Sequence, residues 1–255
     1  MKELLSLATS ARRYADELGV KPDIHLDDFI FGFLIDNPSF DCVDSAVRYY
    51  FHDARKSAEQ LRDLLDEIGS PRSESRSMLE FASGYGCVTR HLSKVMPGVR
   101  STACDIHAQA VQFIRDRLDA AACLSCENPD EFDTGQRYDV VFALSFFSHM
   151  PSATWERWLA ALYRSVSDGG ALAFTTQGPH SAKFFGNPEI GPDGFWFLAD
   201  SEQKDLDVAT YGQTLVSEAF VQGALIRLTG RKADLVRPGY WWGHQDLYVL
   251  RKPGA

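Results

Sequence analysis

The sequence has no long uninterrupted apolar stretch. None of its apolar segments approaches the roughly 18 to 20 consecutive apolar residues that a membrane-spanning helix needs. The first residues also lack the apolar block that is typical of a secretory signal peptide. We therefore expect a cytoplasmic protein with no membrane partner.

Positive charge is in deficit. The chain carries 26 Lys and Arg against 35 Asp and Glu, so its formal net charge is -9 at pH 7. Proteins that bind nucleic acid usually present a clustered excess of Lys and Arg to the phosphate backbone. We therefore expect no nucleic-acid partner, and the acidic balance favours a small-molecule ligand.

A complete set of zinc ligands is also missing. The five cysteines are odd in number, and Cys123 with Cys126 forms a single C-x-x-C with no second pair and no histidine nearby. Structural zinc needs four ligands, so we expect no metal site. Unpaired cysteines in predicted strands and turns indicate reduced thiols, which agrees with a cytoplasmic location.

The dinucleotide-binding fingerprint G-x-G-x-x-G is incomplete. Residues 78–90 are typical of a short apolar strand, a turn with Gly84 and Gly86, and the start of a helix. Counted from Gly84, the third glycine of the fingerprint would fall at Thr89. Glycine can adopt positive φ and lets a ligand approach the backbone closely. The turn therefore predicts a nucleotide-like ligand, with an NAD-dependent oxidoreductase as a disfavoured alternative.

Strands and helices alternate from residue 78 onward, which predicts an α/β fold. The expected strands are 78–80, 101–104, 121–124, 138–144, 171–176, 232–237 and 246–251. Apolar segments without polar alternation are typical of strands buried on both faces. We therefore expect a doubly wound, seven-stranded, mostly parallel sheet of Rossmann-like type.

Two segments lie outside this alternation. Residues 1–70 are predicted to form an N-terminal helical cap, and residues 71–255 the core. Residues 177–214 are rich in glycine, proline and aromatic residues without a clear period, which is typical of a lid or binding loop. We expect the cap and this lid to close over the carboxyl edge of the sheet.

Within the cap, the apolar pattern predicts two consecutive helices after the turn at 36–39. The first contains 43–51, and the second begins at a capping-box pair formed by Ser57 and Gln60. A helix interruption is therefore expected between residues 51 and 57.

Acidic residues close the first two strands of the core. Glu80 stands just before the glycine turn, and Asp105 ends the second strand, where a carboxylate can accept both hydroxyls of a ribose. An acid ahead of a G-x-G turn resembles motif I of the class I S-adenosylmethionine-dependent methyltransferases. That family usually has a glycine where this chain has Ala82, a substitution that costs little if Ala82 keeps an ordinary φ.

The resemblance implies S-adenosylmethionine as the cofactor. It places Asp105 on the ribose, Glu127 or Asn128 on the adenine amino group, and the segment after strand four at the methionine end. The residues expected to bind the cofactor are Glu80, Phe81, Ala82, Ser83, Gly84, Tyr85, Gly86, Asp105, Ile106, Glu127, Asn128 and Ser145. Asp168-Gly169-Gly170 matches the turn that precedes strand five in the family.

Histidines near the carboxyl edge of the sheet are candidates for removing the acceptor's proton. Methyl transfer from a sulfonium is an in-line displacement that depends on positioning, desolvation and this deprotonation. His149 follows strand four and is the first candidate. His180, after strand five, and His244, before strand seven, are its rivals. The alternative for His149 is that it hydrogen-bonds backbone and shapes the pocket.

Together these features predict an S-adenosylmethionine-dependent methyltransferase that acts on a small or medium-sized acceptor. The acidic balance and the aromatic lid favour an O-methyltransferase of a sugar or secondary metabolite. One alternative is a catalytically inactive cofactor-binding subunit of a complex. The oligomeric state stays open.

Overall fold

The computed structural model describes residues 2–69 and 76–254. The chain divides into two compact units, residues 1–125 and 126–255. The predicted boundary between cap and core, at residues 70 and 71, lies outside the described residues. Over the described ranges, every helix is too short or too polar to cross a membrane.

The first unit contains five helices and three strands within its described residues. They are α1 (Lys2–Leu18), α2 (Phe29–Asp36), α3 (Val43–Glu67), β1 (Arg76–Phe81), α4 (Thr89–Val95), β2 (Val99–Asp105), α5 (Ala108–Leu118) and β3 (Ala121–Leu124). The helical N-terminal region that the sequence predicts is therefore present.

The second unit contains the remaining strands and helices of the described chain. They are β4 (Tyr138–Ala143), α6 (Ser152–Arg164), β5 (Val166–Gln177), a 3-10 helix (Pro179–Phe185), β6 (Phe195–Leu198), β7 (Gln213–Val216), α7 (Glu218–Thr229), β8 (Leu235–Trp241) and β9 (Gln245–Arg251).

Seven strands form one sheet in the order β3-β2-β1-β4-β5-β9-β8. The pairs β1–β2, β2–β3 and β4–β5 are parallel, whereas β9 runs antiparallel to both β5 and β8. Five of the six residues of β4 are buried, as expected for a strand covered on both faces. The predicted seven-stranded, mostly parallel sheet is confirmed.

A second, smaller sheet begins in the segment predicted to be an irregular lid and ends just after it, at Val216. Strands β6 and β7 pair antiparallel, with Phe195 opposite Val216 and Leu198 opposite Gln213. Each strand has only four residues and the connection between them is irregular, so the sequence gives no clear period of two.

The prediction of two helices between residues 43 and 68 is wrong. α3 is one continuous helix of 25 residues. Ser57 lies in its interior and is 1% exposed, so it caps nothing. No glycine or proline occurs between Val43 and Glu67, and the helix therefore continues along a buried face through the predicted break.

A buried arginine of α4 forms hydrogen bonds to the segment between α1 and α2. Arg90 is 5% exposed, and its guanidinium donates to the carbonyl oxygens of Lys21 and Asp23 and to the Tyr50 hydroxyl. Tyr50 in turn donates to Asp28, whose other carboxylate oxygen caps the first turn of α2. Because a buried guanidinium is tolerated only when its donors are satisfied, these contacts hold the segment before α2 in one place.

The register of β9 determines which loops flank the carboxyl end of β5. Gln177, the last residue of β5, pairs with Gln245, and Thr176 pairs with Asp246. The turn between β8 and β9 therefore lies at the carboxyl end of β5, where open α/β sheets bind their ligands.

Candidate active site

The two glycines of the turn after β1 serve different purposes. Both have positive φ, +55° at Gly84 and +77° at Gly86. A Cβ at Gly86 would lie 2.6 Å from Leu118 Cδ1 and 3.0 Å from Ile114 Cγ1, so this glycine allows α5 to pack. At Gly84 the nearest atom to such a Cβ is Ile30 Cδ1 at 4.0 Å. The open side of the turn at Gly84 therefore leaves room for a ligand.

Ala82 departs from the expectation of an ordinary φ. Its φ is +58°, in the left-handed region. An L-residue there places Cβ close to the following carbonyl oxygen, at a cost of roughly 1–2 kcal/mol. The turn nevertheless keeps this conformation, and the Ser83 amide donates to the Cys104 carbonyl at the end of β2. The expectation is corrected: this chain carries backbone strain where the resembling family has glycine.

Replacing Ala82 with glycine is therefore expected to stabilise the fold. Glycine removes the strain of the left-handed conformation, but it also increases the conformational entropy of the unfolded chain, which partly offsets this effect. Ala82→Gly should therefore raise the free energy of unfolding by about 1 kcal/mol. Urea titration followed by circular dichroism measures the change. Ala103→Gly in β2, where φ is not positive, is the matched control and should destabilise. Equal losses in both variants would contradict the strain at Ala82.

Asp105 connects the end of β2 to the glycine turn through a hydrogen bond. Its side chain is 7% exposed, and Oδ2 accepts a hydrogen bond from the Gly84 amide at 2.7 Å. Oδ1 accepts from the His107 amide at 3.0 Å and lies 2.8 Å from His107 Nδ1. A carboxylate has about four acceptor positions, so further donors can still be accommodated. The geometry suits a carboxylate that holds the turn and binds a diol at once.

Glu80 is buried behind the same turn. It is 5% exposed, and Thr89 at the start of α4 donates to its Oε2 at 2.6 Å. Burial raises the pKa of Glu80 to about 7, and the nearby negative charge of Asp105 adds to the shift. Glu80 thus connects the end of β1 to α4 and changes its protonation state close to neutral pH.

The raised pKa of Glu80 predicts a pH-dependent stability. The folded-state pKa of about 7 exceeds the ordinary value of 4.5, so the stabilising contribution is complete below pH 4.5 and is lost as pH rises through 7. Glu80→Gln keeps an oxygen for Thr89 but cannot ionise. Its unfolding free energy should therefore rise relative to the wild type between about pH 5 and about pH 8, measured by urea titration. Parallel pH curves for the two proteins would contradict the shift.

The other side chains of this turn are mostly turned inward. Phe81 and Tyr85 are each 3% exposed, and the Tyr85 ring stacks on His25 at 4.6 Å between centroids. The Ser83 hydroxyl oxygen is buried and has no hydrogen-bond partner in the described part of the chain. A ligand at the turn would therefore meet mainly backbone and the half-buried Ala82, while Ile106 is half-buried beside Asp105.

The structure distinguishes the two candidates for the adenine amino group. Asn128 is engaged in a turn, where its amide donates to Glu131 and its Oδ1 accepts from Arg157 at 2.9 Å and from the Asp130 amide at 3.2 Å. Glu127 is exposed. The side chain of Glu127 is therefore the better placed of the two to accept a hydrogen bond from a ligand.

Ser145, directly after β4, belongs to a buried polar network. Its φ is +57°, and its amide donates to Thr175 Oγ1 at 2.8 Å. The Thr175 hydroxyl donates to Gln245 Oε1, and Gln245 Nε2 donates to the Ser145 hydroxyl at 2.8 Å. Ser148 donates to the Ser145 carbonyl. These contacts hold a strained residue in one orientation, as expected where a ligand is recognised.

Thr175 and Gln245 complete this network, and the sequence patterns did not identify either of them as part of the candidate site. Thr175 is 0% and Gln245 is 2% exposed, and both connect β4, β5 and β9 at one end of the sheet. The signal available in the sequence is a polar side chain inside or at the start of an otherwise apolar strand. Such groups are buried only when they are hydrogen-bonded, so they point to a built network.

His149 is enclosed rather than open to solvent. It is 6% exposed, and its ring stacks on Tyr211 at 4.5 Å with an interplanar angle of 6°. Nδ1 lies 2.8 Å from the Gly212 carbonyl oxygen, which can only accept, so Nδ1 carries the proton and Nε2 the lone pair of the neutral ring. Burial lowers the pKa of His149, although Glu202 opposes the shift, and the ring is therefore neutral near pH 7.

Backbone contacts join the residues after β4 to the beginning of β7. The Gly212 amide donates to the His149 carbonyl, and the Thr214 amide donates to the Ser148 carbonyl. The Thr214 hydroxyl also donates to the Met150 carbonyl at 2.7 Å. The hydrogen bond of His149 to backbone, its alternative role, is thus present, and it leaves Nε2 as an acceptor.

The two rival histidines differ in their partners. His180 has a half-exposed ring, and its Nδ1 lies 3.7 Å from Oδ1 of the buried Asp246. His244 Nδ1 lies 3.1 Å from the Ser181 hydroxyl, and Ser181 donates to the His244 carbonyl at 2.8 Å. Burial lowers the pKa of His244, and the charge of Lys183 adds to this. Of the two, His180 has a carboxylate beside it.

The chain is similar to known methyltransferases in sequence. A family model described as a methyltransferase domain matches residues 79–172. The malonyl-[acyl-carrier protein] O-methyltransferase of Acetivibrio thermocellus is 32% identical over 132 residues, which cover 49% of this chain and 42% of that protein. The protein of the same name from Halalkalibacterium halodurans is 27% identical over 159 residues, covering 60% and 53%. The chain spans about half the length of these curated relatives.

Solved structures with a similar fold cover most of the chain. The plantazolicin methyltransferase BpumL, in complex with a monoazolic desmethylPZN analog and SAH (S-adenosylhomocysteine), superposes with a TM-score of 0.59 at 14% identity and covers 99% of this chain and 98% of that one. CalS10, a SAM-bound amino pentose methyltransferase from Micromonospora echinaspora, gives 0.54 at 16% identity, covering 85% and 99%. At these identities the likeness concerns the fold.

The matched segment contains the features described above. It includes the glycine turn with its left-handed residues, Asp105, the pair Glu127 and Asn128, and Ser145. The seven-stranded sheet agrees with the fold of the superposed methyltransferases. The resemblance to the S-adenosylmethionine-dependent methyltransferases is therefore confirmed, and residues 79–172 match a methyltransferase domain.

Proposed function

We propose that this protein uses S-adenosylmethionine to methylate an oxygen atom of a small or medium-sized acceptor. The observation that carries the proposal is the contact between Asp105 and the Gly84 amide, within the matched methyltransferase domain. It holds a carboxylate beside a glycine turn with open space, which is the arrangement needed to bind a nucleoside diol closely.

Each predicted cofactor contact has a chemical rationale. Asp105 is proposed to accept hydrogen bonds from the two ribose hydroxyls, and Glu127 one from the adenine amino group. The fixed orientation of Ser145 fits a polar ligand at the methionine end. When bound, the cofactor supplies an activated methyl group on a cationic sulfur.

The acceptor type rests on the relatives and on exposed aromatic rings. The curated relatives are named O-methyltransferases, which supports oxygen as the methylated atom. Phe184 is 61% and Trp242 is 41% exposed, and both rings lie beside His244. Exposed rings of this kind favour a ring-bearing acceptor such as a sugar or secondary metabolite.

His149 is proposed to orient the acceptor through Nε2, with removal of the acceptor's proton as its alternative role. Its tautomer supports this role, because the Gly212 carbonyl holds the proton on Nδ1. The same contact fastens the segment before β7 to the residues after β4. A position fixed in this way contributes mainly through proximity and orientation.

Two experiments test the proposed function. Isothermal titration calorimetry compares SAH with NAD, and we expect binding of SAH alone. Turnover of isotope-labelled S-adenosylmethionine is then measured against a library of hydroxyl, carboxyl and amine acceptors. Binding of NAD instead of SAH would overturn the cofactor assignment. SAH binding without turnover on any acceptor would favour an inactive cofactor-binding subunit.

The predicted lid at 177–214 should be protected when it closes on an acceptor. Its only tryptic sites after residue 178 are Lys183 and Lys204, and both residues are exposed. We expect trypsin to cut after Lys204 in the free protein, and SAH together with an acceptor to suppress this cut. Lys204→Gln identifies the band by abolishing it. Cleavage that ignores both ligands would indicate an ordinary surface loop.

A further inference from the structure

A buried carboxylate lies at the carboxyl end of β5 and has no role in the cofactor contacts. The side chain of Asp246 is 6% exposed, and its Oδ1 accepts a hydrogen bond from the Gly239 amide at 2.7 Å. Its Oδ2 occupies the space that a Cβ at residue 178 would need, where the chain has Gly178. The burial raises the pKa of Asp246, against the effect of the Gly239 amide. The surrounding backbone is thus shaped to hold this carboxylate.

The Asp246 carboxylate faces one edge of the His180 ring. Nδ1 of His180 lies 3.7 Å from Oδ1 of Asp246, while the ring is 56% exposed. The negative charge of Glu218 also raises the pKa of Asp246. The imidazole therefore has Nδ1 near a buried carboxylate, while about half of the side chain's surface is open to solvent.

This arrangement defines which nitrogen of His180 can accept a proton. A carboxylate accepts only, so it favours the tautomer with the proton on Nδ1 and leaves the lone pair on Nε2. Hydrogen bonds of catalytic groups are often long in the free enzyme and shorten in the substrate complex. A distance of 3.7 Å between Nδ1 and Oδ1 is compatible with such a contact.

The pair is also connected to the network around Ser145. Gln245, the residue before Asp246, donates from Nε2 to the Ser145 hydroxyl at 2.8 Å. Ser145 is the residue proposed for the methionine end of the cofactor. The first two residues of β9 therefore have separate contacts: Gln245 donates to Ser145, and the carboxylate of Asp246 faces His180.

We propose that Asp246 orients His180 as the proton acceptor for a hydroxyl-bearing methyl acceptor. The inference rests on the proposed function. The acceptor O–H proton moves to Nε2 of His180, and the oxygen lone pair forms the bond to the methyl carbon. The carbon–sulfur bond breaks, its electron pair stays on sulfur, and a neutral thioether and a methyl ether result. The half-exposed imidazolium then releases its proton to water.

The pair narrows the chemical class of the acceptor. A carboxyl group has a pKa near 4 and is already ionised at neutral pH, so its methylation needs no base. An alcohol or phenol keeps its proton and benefits from a histidine base. The name of the curated relatives specifies an acyl-carrier substrate that bears a malonyl group. The His180–Asp246 pair instead indicates an alcohol or phenol as the acceptor of this chain.

The tautomer of His180 tests the pair without any turnover. We expect ¹⁵N chemical shifts of labelled histidine, above the titration range of imidazole, to show the proton of His180 on Nδ1. In Asp246→Asn, and in Gly178→Ala, where the new Cβ displaces the carboxylate, the signal should shift toward the Nε2–H form. His180→Ala identifies the resonance. An unchanged tautomer in both variants would overturn the inference.

Kinetics provide the second readout. On hydroxyl acceptors, Asp246→Asn should lower kcat roughly 10²-fold with KM changed far less, because the base is misoriented while binding persists. Asp234→Asn is the matched control: this carboxylate lies at the other end of the β8–β9 pair, on Arg231 and the Arg251 amide, and kcat should be unchanged. Thermal denaturation checks that each variant folds.

The failure of this inference differs from failure of the proposed function. If SAH binds and carboxyl acceptors turn over while hydroxyl acceptors do not, the methyltransferase assignment stands and the His180–Asp246 pair is excluded as the base. Normal turnover of a hydroxyl acceptor by folded Asp246→Asn and His180→Ala would exclude it equally. Absence of SAH binding in the wild type would instead overturn the proposed function.

Discussion

Replacing Asp105 by alanine is expected to weaken SAH binding by about 2–4 kcal/mol, a roughly 30- to 1,000-fold increase in Kd. The two proposed charge-assisted hydrogen bonds to the ribose are lost with the carboxylate. The hydrogen bond from the Gly84 amide to Asp105 is lost as well, so the glycine turn is less well ordered in the ligand-free protein. Calorimetry measures Kd, and circular dichroism checks the fold.

Matched variants separate these contributions. Asp105→Asn keeps an acceptor for the Gly84 amide and should fall between alanine and the wild type. Asp116→Ala removes an exposed carboxylate from α5 and should leave Kd unchanged. Unchanged SAH affinity in a folded Asp105→Ala variant would remove this residue from the site.

The open side of the glycine turn gives a related expectation. Gly84→Val should abolish SAH binding, because the side chain fills the space above the turn and φ is +55°. Gly84→Ala separates ligand approach from backbone strain. If Gly84 only eases the backbone, Gly84→Ala lowers the melting temperature but leaves the Kd of SAH unchanged.

Replacing His149 by alanine is expected to lower kcat by roughly 10²-fold, with far less change in the Kd of SAH. The variant loses the Nδ1 contact to the Gly212 carbonyl and the stacking on Tyr211, so the residues before β7 are held less well. Steady-state kinetics on an acceptor identified by the library screen measure the effect, with His180→Ala assayed in parallel.

Asparagine at the same position distinguishes orientation from proton transfer. The side-chain amide of His149→Asn can donate to the Gly212 carbonyl as Nδ1 does, but it cannot serve as a base. If His149 orients the acceptor, asparagine should recover most of kcat. If asparagine fails as alanine does, with a loss of 10³–10⁴-fold and normal turnover in His180→Ala, His149 is the proton acceptor.

Local patterns were sufficient to predict the fold. The alternation of apolar strands and helices after residue 78 predicted the seven-stranded sheet, because strands buried on both faces must be continuously apolar. The glycine turn and the acid that ends β2 were both expected at the cofactor site, and the structure joins them through the Gly84 amide and Asp105. The predicted break within α3 failed, because a capping pattern does not end a helix whose buried face continues without glycine or proline.

Contacts between segments that are distant along the chain could not be predicted from local sequence patterns. The left-handed φ of Ala82 depends on the path of the chain between β1 and α4, and propensity alone disfavours it. The partners of His149 and Ser145 lie 63 and 100 residues further along the chain, at Gly212 and Gln245. Which of the two rivals of His149 faces a carboxylate, His180 or His244, was decided by the register of β9 on β5.

By itself, therefore, the sequence determined the fold class, the family and the acids and glycines at the strand ends, since these depend on residue type and on short spacings. Only the tertiary structure decided the protonated nitrogen of His149, the engagement of Asn128 and the pairing of His180 with Asp246. The reason is physical: a hydrogen-bond partner or a buried carboxylate acts over a few ångströms in space, whatever the separation along the chain.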